Sequence, residues 1–289
     1  MYEKLEVCPI CKHTNFTNYL ISTDNSITGE SFALVKCTKC ELVFTNPRPN
    51  EENLPKYYDA DDYISHSNKP NNLINFIYKI VRNYTISRKV SLVKKYTSGK
   101  AILDYGCGTG EFLQSCQKQG FNSYGFEPSS SASRQAEEKN ITLVKDLKKL
   151  KEKVDVITAW HVIEHVSELK KTIKILQKKL NNDGVMLIAV PNLNSLDSQI
   201  YGEYWAALDV PRHLYHFTQE TFGKLIAKTK LTLVETIPMH FDSYYVSMLS
   251  EKYMSPKGNI FNAIKNGYKS NSNARRTGEY SSLIYVLKK

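Results

Sequence analysis

The 289-residue sequence has no window approaching the roughly 18 consecutive apolar residues of a membrane-spanning helix, so no span is expected. Its first residues, MYEKLEVCPICK, lack the apolar stretch of a secretory leader, which makes a cytoplasmic location the expectation. Disulfides are then not expected among the six cysteines, because that compartment keeps thiols reduced. There is no internal repeat and no low-complexity tract, so repeat architectures drop out. Acids are in short supply: 29 against 39 basic residues, a formal charge of +10. Such a balance suits nucleic acid, an anionic membrane surface or phosphorylated substrates. Many of the lysines, however, lie along amphipathic stretches such as 169–180, as a solvated helix face would place them.

What is present divides into parts. Residues 1–50 are cysteine-rich and turn-rich. Residues 51–98 begin as a linker with Pro55, Tyr57, Tyr58, Tyr63 and Pro70, and continue into a helix over 71–97, with apolar residues spaced near 3.6. From 99 to 289 strands and helices alternate, which predicts an α/β domain: a Rossmann-like, doubly wound sheet with helices on both faces. Two insertions fall at about 192–217 and 240–280, and the polar, basic end of the second (255–280) reads as a mobile segment. Asn181-Asn182-Asp183-Gly184 reads as a helix stop.

Residues 101–112 carry an apolar strand into Asp104, then Gly106, Gly108 and Gly110 at alternate positions, then a helix. Glycines there permit a tight turn and close approach of backbone to a ligand. The helix N-terminus offers free N–H groups to a carboxylate. The spacing differs from the dinucleotide fingerprint G-x-G-x-x-G. Glu127, at the end of the next strand, is placed to accept hydrogen bonds from two ribose hydroxyls. Asp146 follows the third strand, either to meet an adenine amino group or to cap a helix.

Asp104-Tyr-Gly106-Cys-Gly108-Thr-Gly110 followed by Glu127 resembles the first motif and acidic position of class I S-adenosylmethionine (SAM) methyltransferases. The resemblance covers roughly residues 75–289 and implies a seven-stranded sheet whose last strand, Ser282–Leu287, runs antiparallel. It also implies that the glycines wrap the methionine end of SAM while Glu127 holds the ribose.

Cys8-Pro-Ile-Cys11 and Cys37-Thr-Lys-Cys40 are two C-x-x-C pairs separated by 25 residues. They predict a structural zinc ribbon of four thiolates with no open position. Lys12 and Glu41 stand where a glycine often follows such knuckles. Four thiolates and one dication would lower the formal charge from +10 to +8. Cys107 and Cys116 read as small buried residues. The run Cys37 to Pro49, with Tyr57, Tyr58 and Tyr63 after it, is similar to the ribbon-bearing methyltransferases of polysaccharide and nucleotide-sugar biosynthesis.

Chemistry is expected at the C-terminal ends of the strands. His161, Glu164 and His165 follow the fourth strand, and His213 and His216 follow the fifth. Histidine suits removal of a proton near neutral pH. If helical, His161, Glu164 and His165 at i, i+3 and i+4 would share a face and could hold a second divalent metal. The run resembles the Glu-x-x-Glu-His of ubiquinone and small-RNA O-methyltransferases, with His161 replacing the first acid, and imidazole favours transition metals over magnesium. Tyr201, Tyr204, Trp205 and Tyr215 offer stacking surfaces for sugar rings. The reading favoured is O-methylation of a small-molecule acceptor: a sugar, glycan or lipid-linked intermediate. An RNA methyltransferase using the ribbon and basic surface is the alternative, though no Asn-Pro-Pro-Tyr motif follows the fourth strand. A non-catalytic scaffold is a third reading, opposed by the intact glycine loop. Nothing in the sequence fixes the oligomeric state.

Overall fold

The computed structural model describes residues 2–58 and 73–289; Tyr63 and Pro70 lie outside them. The N-terminal part contains β1 (Tyr2–Glu3), β2 (Phe16–Thr23), β3 (Ser31–Cys37), β4 (Val43–Thr45) and β5 (Arg48–Pro49). Helix α1 (Leu73–Tyr96) leads into the main sheet. There follow β6 (Ala101–Tyr105), α2 (Glu111–Gln117), β7 (Asn122–Phe126), α3 (Ser130–Glu138), β8 (Thr142–Leu143), β9 (Val154–Trp160), α4 (Leu169–Lys179) and β10 (Leu180–Pro191). The remainder comprises α5 (Leu196–Tyr201), β11 (Tyr215–His216), α6 (Gln219–Ile226), β12 (Thr232–Pro238), α7 (Asp242–Met254), α8 (Ile260–Thr277) and β13 (Ser282–Lys288).

The main sheet has seven strands in the order β12-β13-β10-β9-β6-β7-β8. As expected from the resemblance, β13 runs antiparallel, between β10 and β12, while β10, β9, β6, β7 and β8 are parallel. The central strands are buried along nearly their whole length, as strands covered by helices on both faces must be. Local signals fix the helix starts. Ser129 caps α3 by accepting from the Ala132 N–H, and Thr218 and Thr221 form a reciprocal capping box on α6.

Two expectations need correction. Residues 255–280 are not an irregular segment: Asn259 caps α8 at its start, and left-handed Gly278 closes it. Its inner face of small residues packs it onto α7, while its larger apolar residues face outward at helical spacing, a pattern masked by the polar, basic composition. Asn181–Gly184 does not simply stop a helix; it lies within β10, where the pairing with β9 shifts register between Leu180 and Val185.

The cysteine-bearing part does not stand apart. A second sheet runs β11-β4-β3-β2, so a strand from residues 215–216 completes it. Cys8, Ile10, Leu42 and Phe44 share one continuous core with Leu103, Ile157, Phe217 and Phe222.

Candidate active site

Gly106, Gly108 and Gly110 all adopt left-handed backbone, with φ of 78°, 53° and 84°. A side chain at Gly106 would collide with Val162, so the loop lies directly against the segment carrying His161, Glu164 and His165. At Gly110 a Cβ would press on Ile141 and Ala136 at 3.0 and 3.2 Å. At Gly108 a Cβ would meet no heavy atom within 4 Å. That open cradle, beside backbone that only glycine adopts easily, fits a ligand drawn close to the chain. Glu127 braces it: its carboxylate accepts from the Gly108 N–H at 2.9 Å and the Ser129 N–H at 2.9 Å. Asp104 is buried and accepts from the Thr158 hydroxyl at 2.6 Å, tying β6 to β9. Burial pushes its carboxyl up to about 7, against the pull of Thr158 and Lys89. Asp146 caps the short 3-10 turn Leu147–Lys149 by accepting from the Lys148 N–H at 2.9 Å.

The histidine segment departs from a helical face. Only Ile163–His165 forms a 3-10 turn, and His161 precedes it at φ 56°, a strained backbone for a non-glycine residue. His161 Nε2 lies 3.1 Å from Asp242 and Nδ1 3.5 Å from Glu164. Burial opposes its charged form, yet the two carboxylates hold it up to about 9. It is therefore protonated at neutral pH and has no lone pair to act as a base. His165 Nδ1 is 3.1 Å from the Tyr58 hydroxyl. Burial and the neighbouring His213 press its imidazole down to about 4. His213 Nδ1 donates to the Ala207 carbonyl at 2.9 Å, which turns Nε2 toward Glu164 and Asp209 at 3.9 and 3.8 Å. The His165 and His213 rings meet edge to face at 4.5 Å.

Glu164, His165 and His213 thus converge, with one ligand atom of each within 4.8 Å of the others. Glu164 is fully buried, and neither carboxylate oxygen has a hydrogen-bond partner. Burial pushes its carboxyl up, but His161 and the other histidines hold it below its ordinary range. An ionised, buried carboxylate that makes no hydrogen bond, with the His161 imidazolium 3.5 Å away as its nearest charge, fits a cation alongside His165 and His213.

His216 does not join this group. It sits on β11 with Nε2 3.3 Å from the Thr45 hydroxyl. Burial and His213 press it down to about 3, whereas an unfolded histidine titrates near 6.5. The unfolded chain therefore binds more protons between those values, and stability should fall as pH drops below about 6.5. The expected result is that His216→Gln flattens the decline in urea-unfolding free energy on acidification. An unchanged slope would place that pH dependence elsewhere.

The aromatic residues expected to stack on an acceptor are mostly core. Trp205 is buried and donates to Asp197, Tyr201 is buried against Glu251, and Tyr215 is buried against Ser167. Only Tyr204 is exposed among the four. Conversely, sequence reasoning missed Asp242 and Asp209. Asp242 opens α7 within the second insertion, and no spacing links it to His161. Asp209 precedes His213 by one helical turn, a signal that was readable.

Cys8, Cys11, Cys37 and Cys40 gather with all four sulfurs within 4.8 Å; Cys8–Cys40 is 3.4 Å and Cys11–Cys37 is 3.5 Å. A tetrahedral zinc with bonds of about 2.3 Å needs S···S edges of about 3.8 Å. Lys12 and Glu41 take left-handed backbone, φ 63° and 66°, and donate to the Cys8 and Cys37 carbonyls at 3.0 and 2.9 Å. The two knuckles are thus matched turns without glycine, and the donor set fits zinc. Cys107 and Cys116 are buried apart from this cluster.

Residues 78–236 match the family described as a methyltransferase domain. The chain belongs to this methyltransferase family. The methyltransferase is 29% identical over 136 residues to a ubiquinone biosynthesis O-methyltransferase of Actinobacillus pleuropneumoniae serotype 7 (strain AP76). That match covers 41% of the chain and only 58% of the relative. Its fold resembles magnesium protoporphyrin IX methyltransferase from Synechocystis PCC 6803, at TM-score 0.55 and 14% identity, over 83% of this chain and 100% of that one. It also resembles the cyclopropane synthase MmaA2 from Mycobacterium tuberculosis, at TM-score 0.50 and 18% identity, over 70% and 83% of the two chains.

Proposed function

We propose that this SAM-dependent methyltransferase methylates an oxygen of a small-molecule acceptor: a sugar, glycan or lipid-linked intermediate. The observation that carries the reading is the contact of the glycine loop with Val162, which sets the cofactor cradle against Glu164, His165 and His213. When bound, SAM supplies an electrophilic methyl group. Gly106, Gly108 and Gly110 would hold its methionine end, Glu127 its ribose and Asp146 its adenine. In-line transfer asks mainly for alignment, which the rim of the sheet provides. A hydroxyl acceptor must also lose a proton. With the Tyr58 oxygen accepting from Nδ1–H, His165 presents an unprotonated Nε2, and Glu164 and His213 orient it. Protonated His161, paired with Asp242, fixes the far side of Glu164.

The Glu164 carboxylate, which makes no hydrogen bond and converges with His165 and His213, favours a second form of the same reading. Glu164, His165 and His213 would hold a transition-metal dication, which would acidify a hydroxyl bound to it. Chelator would then abolish turnover and a divalent ion restore it.

Structural zinc at the four cysteines belongs to this proposal. Metal analysis should find one such zinc per chain. Cys37→Ser should release it and lower turnover, because Thr45 on β4 bonds to the His213 carbonyl at 2.9 Å, while sparing SAM affinity, because the glycine loop and Glu127 are untouched. A metal-free yet folded N-terminal part would contradict it.

The test of function is transfer of radiolabelled methyl from SAM into fractions of a cell extract. Label is expected in sugar-nucleotide, glycan or lipid fractions. Label in RNA, with binding that weakens steeply as salt rises, would overturn the small-molecule reading.

A further inference from the structure

Helix α8 is amphipathic in an inverted sense. Its buried face consists of Ala263, Gly267, Ser270, Asn271 and Ala274. These residues let it pack tightly on α7: a Cβ at Gly267 would lie 3.0 Å from the Tyr244 Cα. Its large apolar residues point outward instead. Ile260, Phe261, Ile264 and Tyr268 are 52%, 82%, 53% and 59% exposed, and Met254 at the end of α7 is 55% exposed. Positions 261, 264 and 268 lie on one side of the helix, so they form a stripe rather than scattered exposures.

Charge identifies the occupant. Between residues 252 and 278 stand Lys252, Lys257, Lys265, Lys269, Arg275 and Arg276, and no acid. A second copy docked through this face would set cations against cations with no local acid to pair them. Single-stranded nucleic acid would use the aromatic rings, but Ile260 and Ile264 have no stacking face. An apolar stripe flanked by lysines and free of acids matches the interface of an anionic bilayer, where apolar groups enter the acyl boundary and cations meet the headgroups.

We propose that α8 docks the protein on an anionic lipid surface. The helix is coupled to the site: Asn271 donates to the His240 carbonyl at 2.8 Å, two residues before Asp242, the partner of His161.

The test is sedimentation of the full chain with vesicles of phosphatidylcholine, with and without phosphatidylglycerol. Binding is expected only with phosphatidylglycerol, and it should weaken with added salt. Lys265→Glu with Lys269→Glu should weaken binding by about tenfold or more, and Phe261→Ser with Ile264→Ser should weaken it comparably. All four side chains are exposed, so thermal melting should be unchanged in both variants. The proposal is overturned if the wild type stays in solution with both vesicles, or if the variants bind as well as the wild type. It is equally overturned if Phe261→Ser with Ile264→Ser dissolves a dimer while vesicles remain unbound.

Discussion

His165→Ala is expected to lower turnover by about 10²–10⁴-fold, the usual contribution of a positioned general base. Glu164→Gln should approach the same loss by a different route. The fully buried Glu164 carboxylate faces His161 at 3.5 Å and His213 at 3.9 Å. Neutralising it removes one of the two carboxylates that hold His161 protonated and the charge that faces the His213 ring, and it destroys a ligand of any cation held there. Both variants should retain SAM affinity, since Glu127 and the glycine loop are untouched. His216→Gln should leave turnover nearly unchanged, because His216 lies in the ribbon sheet against Thr45. Full turnover in His165→Ala and Glu164→Gln, with chelator inert, would make the cluster structural and leave alignment as the sole device.

Arg212→Met should destabilise the protein by about 3–5 kcal/mol, because it strips one partner from a buried ion-pair network. The guanidinium is 1% exposed, lies 2.9 Å from Asp24 and 2.7 Å from Asp209, and donates to the Tyr57 carbonyl at 2.9 Å. Asp24 is itself fully buried, in the turn between β2 and β3, and would keep only the bonds it accepts from Ser26, Ile27 and Thr28 of its own turn. This one side chain joins the N-terminal sheet, the residues after β5 and the loop carrying His213. Denaturant unfolding measures the loss, and adding Asp24→Asn to Arg212→Met should recover part of it. A change below about 1 kcal/mol, the range of an exposed pair, would mean that the network is solvated.

The parts legible in the sequence are those whose signal is local. Three alternate glycines after an apolar strand predicted the loop, and their left-handed backbone is what alternate glycines permit. The paired C-x-x-C motifs predicted four sulfurs in one place, and they lie together even though Lys12 and Glu41 replace the customary glycines. Burial around the first insertion was illegible. Trp205 and Tyr201 look like a stacking platform in a polar stretch, yet Asp197 and Glu251 satisfy their polar atoms inside the core. Such pairings are set by tertiary contact, and sequence spacing does not carry them. The same holds for the union of the two sheets: β11 is two residues long and becomes a strand only by pairing with β4. The helical-face reading of His161, Glu164 and His165 failed for a local reason. His161 takes a left-handed backbone at the end of β9, and the chain turns before any helix begins.

The central claim is that one rim of the sheet holds SAM on the glycine loop and the acceptor against the Glu164 cluster. Calorimetric titration of SAM into the wild type, Gly108→Val and His165→Ala tests it most directly. Valine at Gly108 would fill the open cradle and strain a backbone at φ 53°. The account predicts one SAM per chain in the wild type, none in Gly108→Val, and unchanged affinity in His165→Ala despite its lost turnover. Unchanged SAM affinity in Gly108→Val, or no binding to the wild type, would contradict it.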